Sequence, residues 1–176
     1  NERILPSTFM NAFRIEPDTD ISIRIINNMV YIKPKKEWPN QFGIFISRNL
    51  SDYHNNQLIK PIQLFFSQSD TIQLNSIQGK IFNADTSKVY ELAILDENLS
   101  ILTKTESDIN GLFNFFINDI NPNNIIVALD GSITNNIIDD IRTKKYGISN
   151  RFINLINNPI YISDPIYKVN PLNQDE

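Results

Sequence analysis

Apolar and polar positions alternate along most of this chain, and the alternation predicts β-structure nearly throughout. Ile21, Ile23 and Ile25 are separated by polar residues, Asn27-Asn28 supplies a turn, and Met29 to Ile32 returns. That is the pattern of a β-hairpin closed by an Asn-rich tight turn. Phe42, Ile44 and Ile46 share one face of a following strand, and Ser47 to Gln57 reads as a polar loop. Residues 59–66 and 71–74 give two more short strands, with Pro61 placing the first on an edge or at a strand start. This is the strand spacing of a sandwich or barrel.

From Ser76 the same rhythm predicts strands at 77–82, interrupted by Gly79, then at 89–95, 101–107, 112–116 and 125–131. Polar turns separate them, so residues 76–131 read as one β-domain. After Gly131 the period changes. Ile137, Ile138 and Ile141 fall at helical spacing, Asp140 and Lys144 form an i,i+4 pair, and Gly147 sits where a C-terminal cap belongs. A short helix is predicted there. Pro6 and Pro17 make residues 1–20 an extended N-terminal arm, and Pro159, Pro165 and Pro171 make the end an extended tail. The expected organisation is an arm (1–20), a β-rich domain of unknown type (21–75), a β-sandwich (76–131), and a short helix with a tail (132–176).

Composition narrows the function. Of 176 residues, 41% are hydrophobic and 20% charged, ordinary globular usage, so a packed core is expected. The formal net charge of −4 supplies no basic stripe, and nucleic acid is not an expected partner. Lys33, Lys35 and Lys36 are broken by Pro34 and followed by Glu37, which reads as a solvated loop. The absence of cysteine excludes disulfides and thiolate chemistry. No apolar run approaches the roughly 20 residues of a membrane-spanning helix, so no membrane partner is expected. Isoleucine and asparagine are unusually frequent; the first favours half-buried pleated surfaces and the second favours turns.

Candidate chemistry is sparse. Asp108, Asn110 and Gly111 resemble the start of a calcium loop, and Asp119 falls at its twelfth position. Leu112, Phe113, Phe115 and Phe116 fill the interval with strand-forming residues, so these three read as a structural turn. His54, the only histidine, lies in a polar loop with Asp52 and lacks a nucleophile. Asp139 and Asp140 are adjacent on the predicted helix, point about 100° apart and read as a solvated face with Lys144 as partner. No phosphate-binding glycine loop or nucleophile elbow is present. The expectation is a protein that is not an enzyme, with no catalytic residues, cofactor or metal.

Three segments carry a family resemblance. Residues 77–82, with Gly79, look like the opening strand of a carboxypeptidase-regulatory-like domain, a transthyretin-like β-sandwich. Residues 88–108 look like its central hairpin, and residues 107–115, Ser-Asp-Ile-Asn-Gly-Leu-Phe-Asn-Phe, look like its most recognisable signature. A narrower likeness runs from Asn124 to Ile141, where Ala128, Leu129, Asp130, Asn136, Ile137, Ile138 and Asp140 are similar to such domains in tailed-phage virion proteins. Asn124 replaces the usual aromatic there, and Gly131 the usual second acid.

The resemblance implies a transthyretin- or immunoglobulin-like sandwich in the second half. With the strand pattern of residues 21–75 and the prolines at both ends, the expected fold is mainly β, the sandwich preceded by a smaller β-domain, with extended termini. The resemblance also implies a structural component of a tailed-phage virion in the tail, neck or connector region. Its partners would be other virion proteins and copies of itself. The alternative is a bacterial exported or cell-surface module binding carbohydrate or protein. Apolar residues on the arms, Phe9, Phe13, Ile160, Tyr161, Ile166 and Tyr167, are the candidate assembly contacts. Phe65-Phe66 and Phe115-Phe116 are a second hint of an interface, since adjacent strand residues face opposite ways.

Overall fold

A computed structural model of the chain describes residues 3–69, 72, 74–85, 87–119, 121–149, 153, 155 and 157–166. The chain is mainly β and divides into two units, Asn1–Leu74 and Asn75–Glu176. Among the described residues no helix is long and apolar enough to cross a membrane.

The first unit begins with a correction to the expected arm. Pro6–Ala12 forms helix α1, with Pro6 in the first turn, where a fixed φ and a missing N–H do no harm. The Thr8 hydroxyl donates to the Leu5 carbonyl at 2.9 Å. Phe9 and Ala12 turn inward, and Phe9 is fully buried. The chain then becomes extended as β1 (Phe13–Glu16), followed by β2 (Ile21–Ile26), β3 (Met29–Pro34), β4 (Gln41–Ile46) and β5 (Ile62–Ser67). Strands β2 and β3 form the expected hairpin, with Ile26 opposite Met29 and Asn27 at φ 56°, a conformation Asn tolerates better than most residues. The other strands form an antiparallel sheet in the order β1-β4-β5. Pro61 directly precedes β5, and Ile72 and Leu74 lie outside any strand. A small core of Phe9, Ala12 and Leu50 gathers Phe13 and Ile46 from the sheet and Ile23, Ile25 and Val30 from the hairpin.

The second unit contains β6 (Asn75–Phe82), β7 (Tyr90–Leu95), β8 (Ile101–Glu106), β9 (Leu112–Ile117) and β10 (Ile125–Asp130). Helix α2 (Ile137–Thr143), β11 (Tyr146–Ile148) and β12 (Asn158–Tyr161) complete it. Two sheets, β11-β10-β7-β8 and β12-β6-β9, enclose a core. Ile77, Ile81, Phe113, Phe115 and Ile160 meet Tyr90, Leu92, Ile94, Ile126 and Ala128 in it.

The alternate residues of the same central strands are buried too. Ala93, Leu95, Val127 and Leu129 pack on the opposite face of the four-stranded sheet against Ile133 and Ile137, which places α2 over that face. Burial on both faces explains why 92–95 and 126–129 are unbroken apolar runs.

Two further expectations are corrected here. Within the expected helix and tail, β11 and β12 belong to the sheets: β11 pairs with β10, β12 pairs in parallel with β6, and Ile160 is fully buried. Gly147 does not cap α2. It lies in β11 opposite Ala128, and the helix ends at an extended Lys144 whose N–H donates to the Asp140 carbonyl at 2.8 Å.

Candidate functional site

Asp108, Asn110 and Gly111 do come together as a turn. One carboxylate oxygen of Asp108 accepts the N–H groups of Asn110 at 2.7 Å and Leu112 at 2.8 Å. Gly111 has φ +77°, and its N–H donates to the Asp108 carbonyl at 3.0 Å. Both backbone and side chain of Asp108 are thus spent on closing the link into β9. Among the described residues no three His, Asp or Glu side chains converge as a metal site would require.

The neighbouring acids Asp139 and Asp140 separate as helical geometry demands. Asp139 is exposed beside Arg142 at 3.3 Å. Asp140 is buried, which corrects the solvated-face expectation. Its carboxylate accepts from Lys144 Nζ at 2.6 Å, the Thr134 N–H at 2.7 Å and the Thr134 hydroxyl at 2.9 Å. Burial is the largest single influence and works against the charge, but these hydrogen bonds together outweigh it and hold the carboxyl below its ordinary range. Lys144 Nζ also donates to the Ser132 carbonyl at 2.6 Å. Beside this clasp, Glu91 accepts the Ile133 N–H and Lys104 Nζ donates to the Ile133 carbonyl at 2.5 Å. The two groups of bonds fasten residues 132–136 and α2 over the second core, a structural task. His54 lies on an exposed loop where Asp52 Oδ1 accepts its backbone N–H at 2.7 Å.

The six candidate assembly contacts are split by the fold. Phe9 and Ile160 are core residues and unavailable to a partner. Phe13 is half-buried and stacks on Phe9 with ring centroids 5.3 Å apart. Tyr161 and Ile166 are exposed, and Tyr167 lies outside the described residues.

Of the most developed apolar surface, the sequence points only to the Phe65-Phe66 pair. Strand register sets Phe42 opposite Phe66 and Ile44 opposite Leu64. Trp38, arriving from the preceding loop, stacks on Phe42 at 4.5 Å and 6°, and Phe42 stacks on Phe66 at 4.9 Å and 15°. The loop is anchored by Gln68, whose Nε2 donates to the Trp38 carbonyl at 3.0 Å and whose N–H donates to the Asn40 carbonyl at 2.8 Å. Phe66 and Leu64 remain 42% and 46% exposed on this face, too much for core residues. The sequence signal was the Phe65-Phe66 pair, one ring of which had to face outward. The other ring, Phe65, meets Phe45 edge-on at 5.7 Å on the reverse face, where Arg14 lies over Phe45.

A second, smaller surface lies on the outer face of β6 and β12 in the other unit. Phe82 and Tyr161 stack there at 5.2 Å, and Lys80 Nζ approaches the Phe82 ring at 5.5 Å. Exposed, contiguous aromatic surface of this kind marks sites of association more often than chance exposure does. No family model, curated protein or solved structure matches the chain.

Proposed function

We propose that the chain is a structural component of a tailed-phage virion, in the tail, neck or connector region, working through protein–protein assembly contacts. The virion setting rests on the likeness of residues 124–141 to phage virion domains, and with it we read the second unit as transthyretin-like. The observation that carries the assembly role is the Trp38-Phe42-Phe66 ladder beside Leu64. Its partners are other virion proteins and further copies of the chain.

The ladder also weighs between this reading and a bacterial surface module that binds carbohydrate. Sugar platforms turn aromatic faces toward solvent, where they meet the C–H face of a pyranose. Here both faces of the central ring, Phe42, are taken by its neighbours. Rings stacked on one another beside the exposed Leu64 suit the apolar side chains of a protein better than a sugar.

Immunogold labelling of purified tailed particles with an antibody to this chain tests the proposal. Label at a fixed position on the tail or neck is the expected result. Particles that lack the chain, with the protein found instead on the bacterial envelope, would favour the surface module.

A further inference from the structure

Strands β1 and β2 follow each other in sequence, joined by residues 17–20, yet they do not pair. The direction of each strand's hydrogen bonds is set by its other neighbour. The Ser47 N–H donates to the Ala12 carbonyl at 2.8 Å, so Arg14 and Glu16 direct their backbone groups toward β4 and Phe13 and Ile15 direct theirs away. The Lys35 N–H donates to the Asp20 carbonyl at 2.9 Å, so Ser22 and Arg24 face β3 while Ile21 and Ile23 face away. The Phe13 N–H is taken up by the Phe9 carbonyl of α1. The Phe13 carbonyl and both backbone groups of Ile15, Ile21 and Ile23 have no partner among the described residues.

All four of these residues line one cleft of about 620 Å³ in the first unit, together with Met10. Ile15 is buried even so, and a buried strand residue with an unpaired backbone is uncommon in a finished sheet. With strands about 4.8 Å apart, side-chain layers spanning about 10 Å and a rise of about 3.4 Å, one residue occupies roughly 160 Å³. The cleft therefore has room for a strand of about four residues.

We infer that this cleft accepts an extended segment of a partner protein, inserted as a strand between β1 and β2. The segment satisfies the unpaired backbone rows on both sides and yields one continuous sheet in the order β3-β2-partner-β1-β4-β5. Its chemistry follows from the walls. Phe13, Ile15, Ile21 and Ile23 call for β-branched or other apolar side chains. At the rim Arg14 and Glu16 close on each other at 3.0 Å, and Asp18 is exposed without an ion pair among the described residues, so the segment carries a lysine or arginine there. The inference goes beyond the assembly reading and holds equally for a surface module.

Titration of the ¹⁵N-labelled full chain with the acetylated, amidated peptide Thr-Val-Lys-Val-Thr tests it. The amides of Ile15, Ile21 and Ile23 are expected to shift and to gain protection from exchange at millimolar peptide. Backbone N-methylation of the peptide's central residues should weaken binding about tenfold, since each removes a ladder bond. Replacing the peptide lysine by glutamate should weaken it about threefold, and Asp18→Lys should reverse that preference. Unshifted amides at these positions, or equal binding of the N-methylated peptide, would overturn the inference. So would the same protection appearing without peptide as the chain dimerises in sedimentation, which would make the occupant a second copy.

Discussion

Phe113 lies directly across from Gly79 on the neighbouring strand, and its ring fills the space that a side chain on Gly79 would need. A Cβ there would come within 2.3 Å of the ring and within 2.3 Å of the Asn158 carbonyl oxygen. The ring has some freedom to move, but the backbone oxygen belongs to the parallel strand β12 and has none. Gly79→Ala is therefore expected to destabilise the second unit by about 1–3 kcal/mol, the usual cost of overpacking. The only tryptophan is in the first unit, so urea unfolding should be followed by circular dichroism and tyrosine fluorescence. An unchanged midpoint would mean that β12 does not lie against β6 as described.

Gly111 is constrained differently, by its own dihedral angle. At φ +77° any L-residue is strained, and a Cβ would also approach the Ile81 carbonyl oxygen to 2.8 Å. Gly111→Val should cost at least about 1 kcal/mol, and Gly111→Asn less, because Asn tolerates the left-handed region. Equal melting temperatures for the two variants would argue against a left-handed residue at this turn.

The Asp140 clasp makes stability depend on acidity. Its carboxyl is held below the ordinary value of 3.8, so the unfolded chain binds the proton more readily than the folded one. The stabilisation is thus complete above that value and is lost as pH falls through the lower folded pKa. Asp140→Ala strands the Thr134 N–H and Lys144 and should cost about 1–3 kcal/mol at neutral pH. Urea unfolding across a pH series should show the gap between wild type and variant closing only in strong acid. A gap that is the same at every pH would place the loss elsewhere than in the charged clasp.

What the sequence revealed depended on how local the cause was. The β2–β3 hairpin, the Asp108 turn and the Asp140–Lys144 pair rest on residues close in sequence, and the reading located them. Asn136 caps α2 through the Asp139 N–H, an equally local contact that the reading of the sequence did not name as a cap. The fate of Phe9 and Ile160 was not local. Prolines near both residues suggested free extended arms, yet each residue is buried in the core of its own unit, Phe9 on a helix and Ile160 on a paired and still extended strand. The unbroken apolar runs at 92–95 and 126–129 held information about a doubly covered sheet, and α2 supplies the second cover. The aromatic ladder depends on the register between β4 and β5 across the long connection between them, which periodicity along a single strand does not set.

That ladder yields the sharpest contrast between surface and core. Phe66 and Phe115 are the same residue type on neighbouring-pair motifs in strands, but Phe115 is 1% exposed inside the sandwich and Phe66 is 42% exposed at the end of a ring stack. Phe115→Ala removes a full complement of packing contacts and leaves a cavity, so a loss of about 3–5 kcal/mol is expected. Phe66→Ala removes one stacking partner from a face already in water, and about 0.5–1.5 kcal/mol is expected. Trp38→Ala should likewise leave the first unit folded while removing the outermost ring of the stack. If the ladder serves association, Phe66→Ala and Trp38→Ala will abolish incorporation into particles at expression levels where both variants fold. Normal incorporation of both would exclude the ladder as the assembly surface and leave the Phe82–Tyr161 face as the place to look.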